Sequence, residues 1–202
     1  MYKVLGVEQK GSRILVFLDN DISFLLYKKD IRVFNITEDA VIEKRVYQDI
    51  IETLYKRARE RALYILDDGY KTEKQIRDKL ISGYYPETVI NRVIKYLKEY
   101  ALIDDFKYCK LYIDYKASSR SKKQIIQELY IKGVSRDIID NAFLDSEYNE
   151  EDSLMKVLEK KVTGYDLNSQ KDVQRLYRYL IGKGYDYSEV KKALAEYVHN
   201  IY

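Results

Sequence analysis

Two tetrapeptides, roughly 49 residues apart, constrain this chain most: Thr72-Glu73-Lys74-Gln75 and Ser121-Lys122-Lys123-Gln124. Each sets a hydroxyl three positions before a glutamine. In that pattern the hydroxyl accepts a backbone N–H of a new helix and the amide reaches back to the cap. Apolar residues follow four apart on one helix face, Ile76 with Leu80 and Ile125 with Leu129. In the second copy, Asp104 is placed to cap a preceding helix whose Phe106, Leu111 and Ile113 need a shared core. Gly133 reads as a left-handed stop. Ser135 caps a third helix carrying Ile138, Ile139, Ala142 and Phe143. Such short, one-sided helices are not stable alone, so the three must pack together.

The same unit recurs on both sides. Upstream, Val46, Ile50, Leu54, Ala58, Ala62 and Ile65 trace one side of a long helix from about Val41, stopped by Asp67-Asp68-Gly69. Pro86 suits a helix first turn, and Val89, Val93, Ile94 and Leu97 line the helix after it. Downstream, Leu154, Val157, Leu158 and Val162 are followed by Val173, Leu176 and Leu180. Gly184 answers Gly133, and Val190, Leu194 and Val198 complete the third copy. The leading segment differs. Lys3–Glu8, Arg13–Leu18 and Ile22–Tyr27 are short runs rich in β-branched and aromatic residues, separated by tight-turn sequences. They predict a small antiparallel three-stranded meander that packs on the next helix or on a partner. One helical turn is expected within Asp30–Asn35.

The expected fold is therefore mainly α, a tandem array of three three-helix repeats, elongated and curved, preceded by that β segment. The segments are 1–41, 42–104, 105–147 and 148–202. Their charges are neutral, +2, +1 and neutral. A net charge of +3 announces no nucleic-acid binder by itself. One cysteine, Cys109, excludes an intrachain disulfide. No apolar run reaches membrane-spanning length and the start MYKVLGVEQKG lacks a signal-peptide pattern, so a cytoplasmic protein with no membrane partner is expected.

Equipment for chemistry is sparse. His199 is the single histidine and sits near the C-terminus. Cys109 reads as a small buried hydrophobe. No phosphate loop, nucleophile elbow or metal-ligand cluster is present. Asp104-Asp105 is explained by helix capping and dipole complementarity. No catalytic residue, cofactor or metal is assigned, and the chain reads as non-enzymatic.

Binding is the remaining role. Tyr115–Gln127 is the longest stretch of the second copy without an acid, and it holds Lys116, Arg120, Lys122 and Lys123 among three serines. Positive charge at a helix N-terminus opposes the dipole, which points to phosphate or an acidic protein surface as partner. Lys132 and Arg136 join this set at the next turn, and a solvated basic loop is the plain alternative. The basic run Lys56–Arg61 reads as ordinary solvation. The second and third helices of each unit have helix-turn-helix form. However, Asp137 and Asp140 in the second copy, and Glu87 in the first despite Arg92, Lys95 and Lys98, oppose entry into a DNA groove.

Ala101–Phe106, Tyr112, Gln124–Leu129 and Lys132-Gly133-Val134-Ser135 resemble the central repeat of the bacterial recombination regulator family RecX. Ala62-Leu63 with Gln75–Leu80 is similar to that family's first repeat, and Leu180–Tyr185 to its third. The leading strands look like an extension found in some members. Two departures touch turns only. Ser121-Lys122 stands where glycine-lysine is common, and Gly83-Tyr84 where the other repeats place lysine-glycine. The resemblance implies a monomeric, non-enzymatic protein that binds the RecA recombinase filament on single-stranded DNA and modulates, usually inhibits, ATP hydrolysis and strand exchange. A stand-alone DNA-binding regulator and a helical-repeat scaffold for another partner remain the alternatives.

Overall fold

The alternating apolar residues at the start of the chain do form strands. The computed structural model describes residues 1–199, with side chains through 197. In it β1 (Tyr2–Lys10), β2 (Arg13–Leu18) and β3 (Ser23–Tyr27) pair as an antiparallel meander. Gly11 takes the left-handed backbone the first turn requires, at φ 62°. A fourth strand was not expected. β4 (Val41–Ile42) pairs with Tyr2 and Lys3, giving the order β3-β2-β1-β4. The long helix thus begins three residues later than the periodicity suggests, because the β-branched pair Val41-Ile42 completes an open edge of β1 first. The six-residue α1 (Lys28–Val33) follows β3.

Three helices complete this first unit, Met1–Asp104: α2 (Lys44–Asp67), α3 (Glu73–Ile81) and α4 (Glu87–Glu99). The sheet is too small to stand alone. Its Val4, Val16, Leu18, Phe24 and Leu26 share one core with Ile50, Leu54, Ala58 and Ala62 of α2 and with the inward residues of α3 and α4. Thr72 caps α3 with the full reciprocal box. Its hydroxyl accepts from Gln75 N–H at 3.2 Å, and its own N–H donates to the Gln75 side chain at 3.0 Å. The turn into α4 contains a strained residue. Tyr84 has φ 59°, the conformation that Gly133 and Gly184 hold in the other two repeats.

The second unit starts at Asp105. It contains α5 (Asp105–Lys116), α6 (Lys122–Ile131) and α7 (Arg136–Leu144), then α8 (Glu150–Val162), α9 (Gln170–Gly182) and α10 (Tyr187–His199). Each triplet has its own core. Cys109, Ile113, Ile125, Leu129, Ile139 and Ala142 build one, while Leu154, Leu158, Leu176, Leu180 and Val190 build the other. α5 differs from expectation, since Phe106 and Leu111 are exposed. Ile113 is fully buried as expected, and its inward partner is Cys109, with Tyr108 and Tyr112 flanking the pair. The side chains of Val198 and His199 lie outside the described residues.

Candidate functional site

The five residues between α5 and α6 are held by their own repeat and by the one that follows. The Arg120 carbonyl accepts from the Tyr148 hydroxyl at 3.0 Å and from Ser153 Oγ at 2.8 Å. Ser153 Oγ in turn lies 2.9 Å from the Tyr185 hydroxyl. Ser121, fully buried, accepts the Gln124 N–H at 3.2 Å and donates its hydroxyl to the Lys183 carbonyl at 2.7 Å. Unlike Thr72, it lacks the reciprocal half of the capping box. Gln124 Oε1 is buried without a hydrogen-bond partner among the described residues. The orphan amide at the helix start, Lys122 N–H, donates instead to the Glu150 carboxylate at 3.1 and 3.2 Å. The Glu150 carboxylate from α8 thus satisfies the first amide of α6, the residue after the cap, whereas a capping-box glutamine would take the N–H of the cap itself.

The electrostatics follow from this packing. Burial pushes the Glu150 carboxyl up from its usual range, more than the Lys122 N–H draws it down, and Glu189 adds to the rise. Burial also opposes ionisation of Glu128. The Tyr112 hydroxyl at 2.6 Å and the Arg120 guanidinium at 3.2 Å outweigh it and hold that carboxyl below its usual range. Burial first, and then the bond to Glu128, push the Tyr112 phenol well up.

The structure separates the basic residues that the sequence presents as one set. Lys122, Lys123 and Arg136 line a groove of about 460 Å³ together with Glu150, Asp186 and Glu189, so their charge is largely balanced. Arg136 Nε also holds Asp140 at 2.8 Å. Lys116 lies over the rings of Tyr115 and Tyr112, at 4.7 and 5.7 Å, and Lys132 over Tyr112 at 5.4 Å. Arg120 faces a different cleft of about 210 Å³, lined by Ser118, Ser119, Lys160, Lys161, Tyr179 and Lys183 with Val157. Among the described residues no carboxylate lines that cleft. The sequence reading missed three of its four cations. Lys160 and Lys161 occupy the last turn of α8, where lysines complement the helix dipole, and Lys183 follows the end of α9. Nothing local in the sequence places them beside Arg120.

The basic run on α2 is also more specific than solvation. Arg57 makes a bidentate pair with the buried Asp30, at 2.7 and 3.0 Å. On α4, Arg92 pairs with Glu52, Lys95 with Glu99, and Lys98 with Glu73. Each of those cations thus has an intramolecular carboxylate partner. Cys109 is buried, as its reading as a small hydrophobe requires. No described helix is long and apolar enough to cross a membrane.

Three family models match in order along the chain: RecX, first three-helix domain, over residues 58–97; RecX, second three-helix domain, over 104–142; and RecX, third three-helix domain, over 149–194. Among curated relatives, a Regulatory protein RecX of Clostridium acetobutylicum is 32% identical, covering 96% of this chain and 94% of its own length. One from Clostridium beijerinckii is 33% identical over 92% of this chain and 90% of that protein. Of solved structures, a crystal structure of regulatory protein RecX superposes with a TM-score of 0.62 at 20% identity, over 95% of this chain and 98% of that one. RecX from Lactobacillus salivarius gives 0.63 at 23% identity, over 72% and 97%. Both share the fold.

Proposed function

The chain belongs to the RecX family of regulatory proteins, and on that premise we propose that it binds the filament of the RecA recombinase and modulates, chiefly inhibits, its ATP hydrolysis and strand exchange. The observation that carries this reading is the likeness to regulatory relatives, which runs over 96% of the chain and through all three helical domains in order. In this reading the protein is a cytoplasmic monomer without a catalytic centre. It contacts recombinase, and single-stranded DNA within the filament, through the basic side of the second unit. The α5–α6 connection supports that role, because hydrogen bonds from two repeats hold its backbone in place before a partner arrives. Arg120, Lys160, Lys161 and Lys183 are assigned to the principal contact. Lys116, Lys122, Lys123, Lys132 and Arg136 are assigned to its surroundings, where they meet a partner surface of opposite sign.

The test is a titration of this protein into RecA polymerised on single-stranded DNA, with ATP hydrolysis as the readout. Substoichiometric protein is expected to slow hydrolysis while binding bare duplex DNA poorly. No effect on hydrolysis at any ratio would overturn the proposal. Tight duplex binding without recombinase, weakening steeply as salt rises, would favour a stand-alone DNA-binding regulator instead.

A further inference from the structure

The first unit contains a cleft of about 470 Å³ where β2, β3, α2 and the α3–α4 turn meet, apart from the contact residues proposed in the second unit. Four cations line it. Arg13 comes from β2, Lys79 from the end of α3, and Arg57 and Arg61 from α2, where their four-residue spacing directs both the same way. Asp30 neutralises Arg57 within the protein. Among the described residues no carboxylate pairs with Arg13, Arg61 or Lys79, and Glu60 is the single acid on the cleft wall. Like charges gathered in a concave, partly desolvated wall repel one another, and an anion relieves that repulsion.

Two tyrosines stand with them. Tyr85 rests against the turn because residue 83 is glycine. A Cβ there would come within 3.0 Å of the Tyr85 ring. Burial pushes the Tyr85 phenol up, and Arg13, Arg57 and Arg61 only partly pull it back, so the hydroxyl remains a donor at neutral pH. Tyr27 also lines the cleft, and the Arg57 guanidinium sits 4.8 Å from its ring centre. Guanidinium forks, an ammonium, a phenolic donor and aromatic surface together make a site for a multiply charged oxyanion attached to a flat group. A lone inorganic ion would fill only a small part of the volume.

We propose that this cleft binds the phosphate of a nucleotide-sized ligand, with Arg13, Arg61 and Lys79 holding the phosphate oxygens and Tyr27 and Tyr85 lying beside the base. The inference does not depend on recombinase binding, so its failure and that of the proposed function are separable. Isothermal titration calorimetry of the full chain at low salt, without recombinase, tests it with inorganic pyrophosphate, a nucleoside 5′-monophosphate and a short oligodeoxynucleotide.

The nucleoside monophosphate is expected to bind more tightly than pyrophosphate. Arg13→Gln and Arg61→Gln should each weaken binding about tenfold. Glu60→Gln, which removes the opposing charge, should strengthen it about threefold, and Lys95→Gln on the outside of α4 should leave it unchanged. Binding of the oligonucleotide alone, abolished in the Arg13→Gln/Arg61→Gln double variant, would support the site with a strand phosphodiester as its source. Absence of binding to every probe, or equal affinity in wild type and in a double variant with native circular dichroism, would overturn it.

Discussion

The hydroxyl of Ser121 donates to the carbonyl of Lys183 over 2.7 Å, joining the start of a helix in one repeat to the end of a helix in the next across 62 positions of sequence. The same oxygen sits where a side chain on residue 184 would go. A Cβ on Gly184 would lie 2.9 Å from it, and Gly184 has φ 90°. Ser121→Ala removes both a helix cap and the partner of a carbonyl, and is expected to cost about 2–3 kcal/mol. Gly184→Ala should cost at least as much, through backbone strain and the clash together. The double variant relieves the clash, so it should cost less than the sum by roughly 0.5 kcal/mol or more. Denaturant midpoints of the four proteins check this.

Tyr84 holds a left-handed backbone with a full side chain, and its hydroxyl accepts from Lys10 Nζ at 2.8 Å. Tyr84→Gly recovers about 1 kcal/mol of backbone strain and loses an exposed bond worth less than that. A small net stabilisation is expected in thermal unfolding. Gly133→Ala, at the corresponding turn of the second repeat, should destabilise by about 1 kcal/mol.

The Asp30–Arg57 pair joins α1 to α2 at the wall of the first unit's cleft, which Arg57 lines. Removing one partner leaves the other half-buried and uncompensated, so Asp30→Ala is expected to cost about 2–3 kcal/mol. Arg57→Met/Asp30→Leu should recover part of that loss. Urea unfolding of the first unit reads both.

Stability should fall on acidification in a defined direction. Burial opposes ionisation of Asp30, Glu73 and Glu128, but hydrogen-bonded cations, with Tyr112 at Glu128, hold all three below the ordinary carboxylate range. Their contribution is present above the unfolded value near about 4 and is lost as pH falls through the lower folded values. Glu150 is raised, so its contribution has the opposite sign: full below its unfolded value and lost as pH rises through the folded one. Glu150→Gln, which keeps an acceptor for Lys122 N–H, should therefore leave stability at pH 7 unchanged or raise it slightly, whereas Tyr112→Phe should flatten the acid limb. Urea midpoints between pH 2 and 7 report both.

Under the proposed function, the cleft of the second unit that no described carboxylate lines should matter more for recombinase than the groove that acids share. Lys160→Gln/Lys161→Gln/Lys183→Gln should raise the concentration for half-inhibition of RecA hydrolysis about tenfold or more. Lys122→Gln/Lys123→Gln/Arg136→Gln should raise it less, because Glu150, Asp186 and Glu189 already balance those charges. Equal effects in the two triple variants would reject this ranking.

Much of the architecture is written locally. The cap at Thr72, the stop at Gly133 and the apolar spacing of Ile125 and Leu129 act over a few residues, so a linear reading finds the helices and their repetition. The turn around Gly11 and the β-branched runs beside it are legible for the same reason. The β4 pairing is not, because two residues make a strand only when an open edge is already waiting for them.

The basic residues show the limit most clearly. By itself, the amino-acid order determined that three capped helical triplets follow a β segment, and that Arg120, Lys122 and Lys123 cluster along the chain, since caps, turns and periodicity are short-range. Only the tertiary structure decided that Glu150 accepts the Lys122 N–H at the start of α6 and that Ser121 is bonded to Lys183. It also decided that Arg120 shares a cleft with Lys160, Lys161 and Lys183, while Lys122 and Lys123 share theirs with acids. A charge's partner is whatever group packing brings within a few ångströms, and across dozens of residues of sequence that is a property of the folded chain.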